Sequence, residues 1–182
     1  MKKILLISIF FLISALSAQA NEIKRIFVGN ESAKISIIAF ESLTCSYCAK
    51  FHQDVYPLLK KEFLDTGLAK IEFRHFPLDI AAFNASKVAQ CTNDGNLEIL
   101  ESLYANQQKW VKGSSIEEAN INLQKFLSKE GFNIDFESCI NNKQIEDFVL
   151  NDRIDGAKNF KVNATPTCLL YTSPSPRDLS TS

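Results

Sequence analysis

One stretch of the sequence constrains the fold more than any other, because its apolar pattern changes period within a few residues. Residues 34–40 begin as an alternation of polar and apolar side chains and end as a continuous apolar run, which favours a central strand covered on both faces. After Thr44 the period becomes helical. The predicted apolar stripe of this helix consists of Cys48, Phe51, Val55, Leu58, Leu59 and Phe63. Residues 71–76 alternate again and stop at Pro77, so the order predicts a β-α-β unit.

A proline lies inside the helical pattern. Pro57 removes one backbone donor, but the apolar stripe continues beyond it, so we expect the helix to bend at this position and not to end. Asp65, Thr66 and Gly67 are typical of the turn that would close it.

Two thiols stand where the predicted strand turns into the helix: Cys45 and Cys48, which enclose Ser46 and Tyr47. A helix N-terminus supplies unpaired backbone N–H groups and the positive end of the helix dipole, and both lower the pKa of a thiol. We therefore expect Cys45, at an exposed turn, to form a mixed disulfide with a substrate. Cys48, one turn further on the apolar stripe, is expected to resolve it.

The spacing of these cysteines leaves two alternatives open. A purely structural crosslink is weakened by the short loop between Cys45 and Cys48, which would constrain the unfolded chain little. Zinc would need more ligands: His52 could supply a third, but a fourth is not obvious. We expect no metal, and we expect His52 and His75 to be partly exposed, with His75 at a strand end able to approach the site.

The first 20 residues have the pattern of a secretory signal. Two lysines precede an apolar run, and small residues precede the expected cleavage after Ala20. The run is shorter than the roughly 20 residues that span a bilayer. We therefore predict a soluble mature protein in an oxidising space outside the cytoplasm.

The charge balance excludes one class of partner. The chain has 20 Lys and Arg against 21 Asp and Glu, and residues 1–20 contain two of the lysines and no acid, so the mature chain would carry a charge of −3. Nucleic acid is therefore not an expected partner, because binding the phosphate backbone requires a basic face. About 160 mature residues suit one globular domain.

The rest of the chain is mostly helical in pattern. Between 78 and 161 we predict four or five helices, separated by turns rich in Gly and Asn. Residues 162–167 then form a tight segment that enters a short apolar run ending at Tyr171. Residues 172–182, rich in Ser, Thr and Pro, have the composition of a disordered or foreign tail.

Taken together, these features resemble the DsbA-like thiol:disulfide oxidoreductases of the thioredoxin superfamily. The resemblance is carried by the signal, the strand before Cys-Ser-Tyr-Cys, the helical insertion and the Thr165-Pro166 dipeptide that follows it. It implies an α/β thioredoxin-like fold made of 21–77 and 162–171, with 78–161 as an inserted helical subdomain. It also implies that Pro166 is cis and faces the cysteines, and that Thr165 offers its backbone to a bound substrate strand.

The resemblance further implies a function. The protein would introduce disulfides into reduced secreted proteins in a bacterial periplasm, without a cofactor and as a monomer, and a DsbB-like membrane oxidase would reoxidise it. A disulfide isomerase or reductase of the same fold is an alternative. A periplasmic metal-binding or chaperone-like module is an alternative from a different class.

The sequence departs from that family in three places. Ser46-Tyr47 replaces the Pro-His of the strongly oxidising members, and Thr165 is also seen in isomerase-type relatives. After Tyr171 the family continues through a strand and a closing helix, which we expect to be missing here. Cys168 lies at the edge of this region and is given no role.

The two cysteines that remain suggest a second disulfide. Cys91 and Cys139 both fall in the predicted insertion, outside the Cys-x-x-Cys pair and on the apolar sides of helical patterns. A bond between them would close a loop of about 49 residues and stabilise the fold by about 4 kcal/mol. The alternative is a pair of buried free cysteines acting as small apolar side chains.

Overall fold

A computed structural model describes residues 23–92 and 94–172. The predicted signal at 1–20 and all of the predicted tail except Thr172 lie outside the described residues. Within the described ranges, no helix combines the length and the apolar character needed to cross a membrane.

The centre of the molecule is a mixed four-stranded sheet with strand order β1-β3-β2-β4. Its strands are β1 (Ile26–Gly29), β2 (Ile35–Glu41), β3 (Ala69–His75) and β4 (Thr167–Thr172). β2 and β3 are parallel, while β1 and β4 pair antiparallel with β3 and β2, respectively. The parallel pair, joined by a helix, confirms the predicted β-α-β unit. Buried and half-buried side chains alternate along β3, as the period of its sequence predicted.

The crossover helix is not a regular α-helix. Its parts are α1 (Ser46–Lys50), a π-helical turn (Phe51–Val55), α2 (Tyr56–Leu59) and a second π-helical turn (Lys60–Leu64). The helix continues past Pro57, as predicted, because the π-turn before it adjusts the backbone bonding where the proline has no N–H.

The predicted apolar stripe of this helix was wrong at three of its six positions, while Leu59 packs against the core as predicted. Val55, Leu58 and Phe63 are 49%, 63% and 45% exposed, while Tyr56 and Leu64 are buried on the side of Cys48. Each π-turn bonds residue i to residue i+5 and so adds a residue to the turn. The side chains that follow are rotated away from the positions that a regular period of 3.6 gives them.

Six further helices fill the chain between β3 and β4 in the described residues, one more than the larger number predicted. They are α3 (Ile80–Gln90), α4 (Glu98–Ala105), α5 (Gln107–Trp110), α6 (Ile116–Lys129), α7 (Phe136–Asn141) and α8 (Lys143–Lys158). The excess comes from two breaks. Asn106 leaves helical geometry between α4 and α5, and Asn142 separates α7 from α8 while its side chain caps α8.

The sheet has a core on each face. Ile37 and Ala39 of β2 belong to the larger core, which includes the crossover helix and α3, α4 and α6. Phe40 packs on the other face with Phe76 and Val162. A Cβ atom on Gly156 of α8 would lie 2.8 Å from the Phe40 ring, so a glycine is needed where α8 crosses this face.

The helical segment between β3 and β4 contains a closed disulfide. Cys91, at the end of α3, is bonded to Cys139 of α7, with the two Cα atoms 5.5 Å apart and 48 positions between them in the chain. This is the pair for which the sequence suggested a bridge. It links the C-terminus of α3 to α7.

Candidate active site

The cysteine pair lies at the end of β2, where the loop 42–45 leads into α1. Cys45 is the N-cap residue of α1, and its extended backbone allows its N–H to bond the carbonyl of Ser42 at 3.0 Å. The carbonyl of Cys45 then accepts the N–H groups of Cys48 and Ala49, at 3.1 and 3.2 Å, which starts the helix. The Cys45 sulfur therefore lies at the N-terminus of α1, beside the N–H groups of the first helical turn.

The two sulfurs have very different surroundings. Cys45 is half-buried, whereas Cys48 is fully buried in the larger core. Between them, Ser46 is exposed and Tyr47 is 72% exposed. A substrate in solution can therefore reach Cys45 and not Cys48.

The loop before β4 faces this pair. The Thr165–Pro166 peptide bond is cis, as the resemblance implied. The Cys45 Sγ donates a hydrogen bond to the backbone oxygen of Thr165 at 3.3 Å, across 120 positions of the chain. Residues distant in the sequence therefore meet at the thiol.

The pKa of Cys45 lies below that of an ordinary thiol. Partial burial alone would raise it, but the Thr165 side chain and the backbone N–H groups of Cys48 and Tyr47 can donate to the thiolate, and their effect outweighs the burial. The Thr165 hydroxyl is buried and has no hydrogen-bond partner among the described residues, so this donor is available to the thiolate. The thiolate of Cys45 is accordingly stabilised from two sides.

The pKa of Cys48 shifts in the opposite direction. Burial raises it far above the ordinary value, and the negative charge of Glu41 adds to that effect, while the backbone of Ser42 opposes it only in part. Cys48 therefore stays a protonated thiol under conditions in which Cys45 is ionised.

A buried polar pair lies behind Cys48, and sequence analysis missed it. His52 and Glu41 are in contact at 2.7 Å between Nε2 and Oε2, with side chains 5% and 3% exposed. The ring of Tyr104 stacks on His52 at 4.2 Å. Glu41 Oε1 and His52 Nδ1 have no hydrogen-bond partner within the described part of the chain. The only sequence signal was an acidic residue ending an apolar strand.

The expectation that both histidines would be partly exposed was wrong for His75, whereas His52 as a whole residue is partly exposed. The side chain of His52 is buried against Glu41, and His75 is 3% exposed with its Nε2 3.1 Å from Gln90 Oε1. Burial lowers the pKa of His75, although the nearby Asp152 carboxylate opposes this shift. In residues 23–92 and 94–172 no group of three or more His, Cys, Asp or Glu side chains is arranged to hold a metal ion.

A glutamine from the helices between β3 and β4 also contacts the cysteine loop. Gln107, at the start of α5, is 8% exposed, and its Nε2 donates to the carbonyls of Leu43 and Cys45 at 2.8 and 3.0 Å. Nothing in the local pattern of the sequence marks this residue, because its partners lie more than 60 positions away.

Exposed apolar side chains and a cavity lie near the cysteine loop and α1. Leu78 and Ile80, just after β3, are 51% and 59% exposed. The N–H of Leu78 donates to Ser42 Oγ at 3.2 Å, which ties this segment to the cysteine loop. A cavity of about 740 Å³ also borders α1 and is lined in part by Ser46, His52, Tyr56, Tyr104 and Gln107.

Comparison with known proteins gives matches over most of the chain. A family model described as Thioredoxin matches residues 21–171. A crystal structure of an alpha-type DsbA of Wolbachia pipientis has a TM-score of 0.72 and 28% identity, and the match covers 80% of this chain and 74% of that one.

Two curated proteins are similar in sequence. One from Rickettsia typhi, provisionally named a protein-disulfide oxidoreductase, is 25% identical over 144 residues, which cover 77% of this chain and 52% of that protein. Disulfide bond formation protein D of Bacillus subtilis is 26% identical over 151 residues, which cover 77% of this chain and 64% of that protein. The chain thus spans about half the length of the rickettsial relative.

Proposed function

Because the chain belongs to the thioredoxin family, we propose that it is a thiol:disulfide oxidoreductase that introduces disulfides into secreted proteins through Cys45 and Cys48. The observation that carries the proposal is the asymmetry of the pair. Cys45 is accessible and has a lowered pKa, whereas Cys48 is buried and has a raised one. A crosslink that only stabilises the fold needs no such difference between its sulfurs.

The proposed reaction transfers one disulfide in two exchanges. A substrate thiolate attacks Cys45 Sγ of the oxidised pair, which forms a mixed disulfide and releases Cys48 as a thiolate that takes up a proton. A second substrate thiolate then attacks the substrate sulfur of the mixed disulfide and releases Cys45 as a thiolate. The substrate loses two electrons and the cysteine pair gains them. Since a thiol with a lowered pKa is the better leaving group, Cys45 suits the second step.

The substrate would bind beside the loop before β4. Thr165 and Pro166 stand against Cys45, so the backbone of Thr165 is in position to pair with an extended substrate strand. The exposed Tyr47, Leu78 and Ile80 would then contact apolar substrate side chains. Such a surface suits unfolded proteins, which expose apolar segments around their cysteines.

The proposed setting is the periplasm. The signal pattern of residues 1–20, the disulfide between Cys91 and Cys139 and the family all support an oxidising compartment. The domain organisation predicted from the sequence, with 78–161 as an insertion, is part of the same proposal. A DsbB-like membrane oxidase would restore the Cys45–Cys48 disulfide after each cycle, and the enzyme would act as a monomer.

The test is oxidation of a reduced, unfolded model protein that has two cysteines. The oxidised chain should accelerate disulfide formation in this substrate, and Cys45→Ala should abolish the acceleration. Cys168→Ala is the matched control, because it removes an exposed thiol outside the pair and should retain full activity. Undiminished activity of the Cys45→Ala variant would overturn the proposal.

The direction of the reaction is a separate question, because Ser46 and Tyr47 supply no histidine to hold the thiolate. We expect a reduction potential more negative than the value of about −120 mV found for the strongest oxidants of this kind. Equilibration of the cysteine pair against glutathione measures it. A potential near that of protein disulfide isomerase, about −180 mV, would favour the isomerase alternative.

A further inference from the structure

The loop that carries Cys45 is held by a side chain from another part of the fold. Gln107 uses both donors of its amide, one on the carbonyl of Leu43 and one on that of Cys45. Because these carbonyls flank Thr44, the two bonds together restrain the backbone dihedral angles of the loop just before the nucleophile.

The position of Gln107 is itself fixed by packing. The break at Asn106 separates α5 from α4. Trp110, the last residue of α5, is 1% exposed, and its indole N–H donates to the carbonyl of Leu103 in α4 at 2.9 Å. A buried tryptophan with a satisfied N–H is a rigid anchor. The amide of Gln107 is therefore presented to the cysteine loop by a well-supported turn.

The geometry of Cys45 depends on this loop. Its sulfur must lie close to the first-turn N–H groups of α1 and to Thr165 at the same time, and a small rotation of the Cys45 backbone would move Sγ away from both. The carbonyl of Cys45 bonds Cys48 and Ala49 within the helix, and Gln107 is the contact that it makes outside the helix.

We propose that Gln107 is a positioning residue for thiol–disulfide exchange: its amide fixes the loop 43–45 and so holds the Cys45 sulfur where α1 and Thr165 stabilise its thiolate. The inference rests on the proposed reactivity of Cys45. It makes the inserted helices part of the active site, since α5 supplies a contact that β2 and α1 do not.

The test compares Gln107→Met, which keeps the length of the side chain and removes both donors, with Gln108→Met at the exposed neighbour. Alkylation of Cys45 by iodoacetamide is followed from pH 5 to 9 in the reduced Cys168→Ala background, with the site verified by mass spectrometry. Gln107→Met should shift the midpoint of the profile to higher pH and slow alkylation near pH 7 about fivefold, the effect of one net hydrogen bond. Gln108→Met should leave the profile unchanged.

A purely structural role would lower the melting temperature of Gln107→Met without moving the pH profile, and that result overturns the inference. If the Gln107→Met variant does not fold, the inference can still be tested on the wild-type protein. By NMR, the side-chain amide protons of Gln107 should exchange with solvent much more slowly than those of Gln108. Equal exchange rates would contradict the inference.

Failure of the inference is distinguishable from failure of the proposed function. If wild-type protein oxidises the model substrate but Gln107→Met has the wild-type profile, only the inference fails. If Gln107→Met shifts the profile but wild-type protein oxidises no substrate, the positioning of Cys45 stands and the oxidase function fails.

Discussion

Four of the described cysteines form two pairs whose surroundings differ in almost every respect. Cys45 and Cys48 are three positions apart at a helix N-terminus, one half-buried and one buried, and both are free thiols in the structure. Cys91 and Cys139 are 48 positions apart and are bonded, which joins the end of α3 to α7. The comparison teaches that the chemistry of a cysteine pair here follows from the backbone and charges around it. Spacing in the sequence only limits the options.

The difference extends to the free thiols themselves. The surroundings of Cys45 supply donors, which favour its thiolate, while those of Cys48 supply apolar side chains and the carboxylate of Glu41, which disfavour it. A closed bond such as Cys91–Cys139 has no thiolate to stabilise. We therefore expect perturbations of the two pairs to affect different observables: reactivity for the first and stability for the second.

The largest effect is expected from removing the resolving thiol. In the reverse of the proposed reaction, the Cys45 thiolate attacks the disulfide of an oxidised substrate, and Cys48 resolves the mixed disulfide that forms. Cys48→Ala leaves the attack possible but removes the resolving thiol, so mixed disulfides with an oxidised substrate should accumulate. Non-reducing electrophoresis and mass spectrometry measure the adduct. Both variants are made in the Cys168→Ala background, which removes the exposed third thiol. The variant that also lacks Cys45 and Cys48 is the control and should form no adduct. An adduct that accumulates on Cys45→Ala and not on Cys48→Ala would show that the two roles are assigned the wrong way round.

The second pair should control stability and not reactivity. Replacing Cys91 and Cys139 by Ala removes a crosslink between residues 48 apart, and the free energy of unfolding should fall by about 4 kcal/mol on the chain-entropy account. Denaturant unfolding of the oxidised proteins measures this loss. The alkylation profile of Cys45 should stay that of the wild type, with Cys168→Ala as the control for loss of a thiol. A shifted profile would mean that the two pairs are coupled.

Local patterns in the sequence predicted the β-α-β unit, because each of its elements buries side chains with its own period. They failed within the crossover helix, where the exposure of Val55 and Leu58 follows from π-helical turns that no apolar period encodes. They failed also for His75, whose burial depends on Gln90 and on the fold as a whole.

The site was predictable to the extent that its chemistry is local. The Cys45 and Cys48 spacing was visible, and the resemblance to a family pointed to Thr165 and Pro166. Gln107 and the Glu41–His52 pair were not, because each acts through contacts between elements that only the folded chain brings together. Long-range hydrogen bonds leave no periodic signal in a sequence.

The smallest expected effect comes from removing one of the hydrogen-bond donors that stabilise the Cys45 thiolate. Thr165→Val keeps the shape of a buried side chain and removes the hydroxyl that lowers the pKa of Cys45. The rate of alkylation follows the fraction of Cys45 that is thiolate. Because the pKa of Cys45 lies below the ordinary value of 9.0, the wild-type protein should still be alkylated well below pH 9.0. The rate should fall as the pH drops through the lowered pKa. In Thr165→Val the midpoint of the alkylation profile should shift to higher pH, and the rate of alkylation near pH 7 should fall roughly fivefold.

The pKa shifts also predict how the stability of the reduced protein depends on pH. The lowered pKa of Cys45 and the raised pKa of Cys48 have opposite effects. A lowered pKa at Cys45 stabilises the reduced folded protein at pH values above the unfolded value of 9.0, and this stability is lost as the pH falls through the folded pKa. The raised pKa of Cys48 stabilises it below 9.0 instead. Urea unfolding measures the free energy of unfolding of the reduced wild type and of reduced Thr165→Val between the lowered pKa of Cys45 and pH 9.0. This free energy should rise less with pH in the variant. The oxidised proteins, in which neither thiol titrates, are the control, and an equal rise in both reduced proteins would mean that the hydroxyl of Thr165 does not act on the Cys45 thiolate.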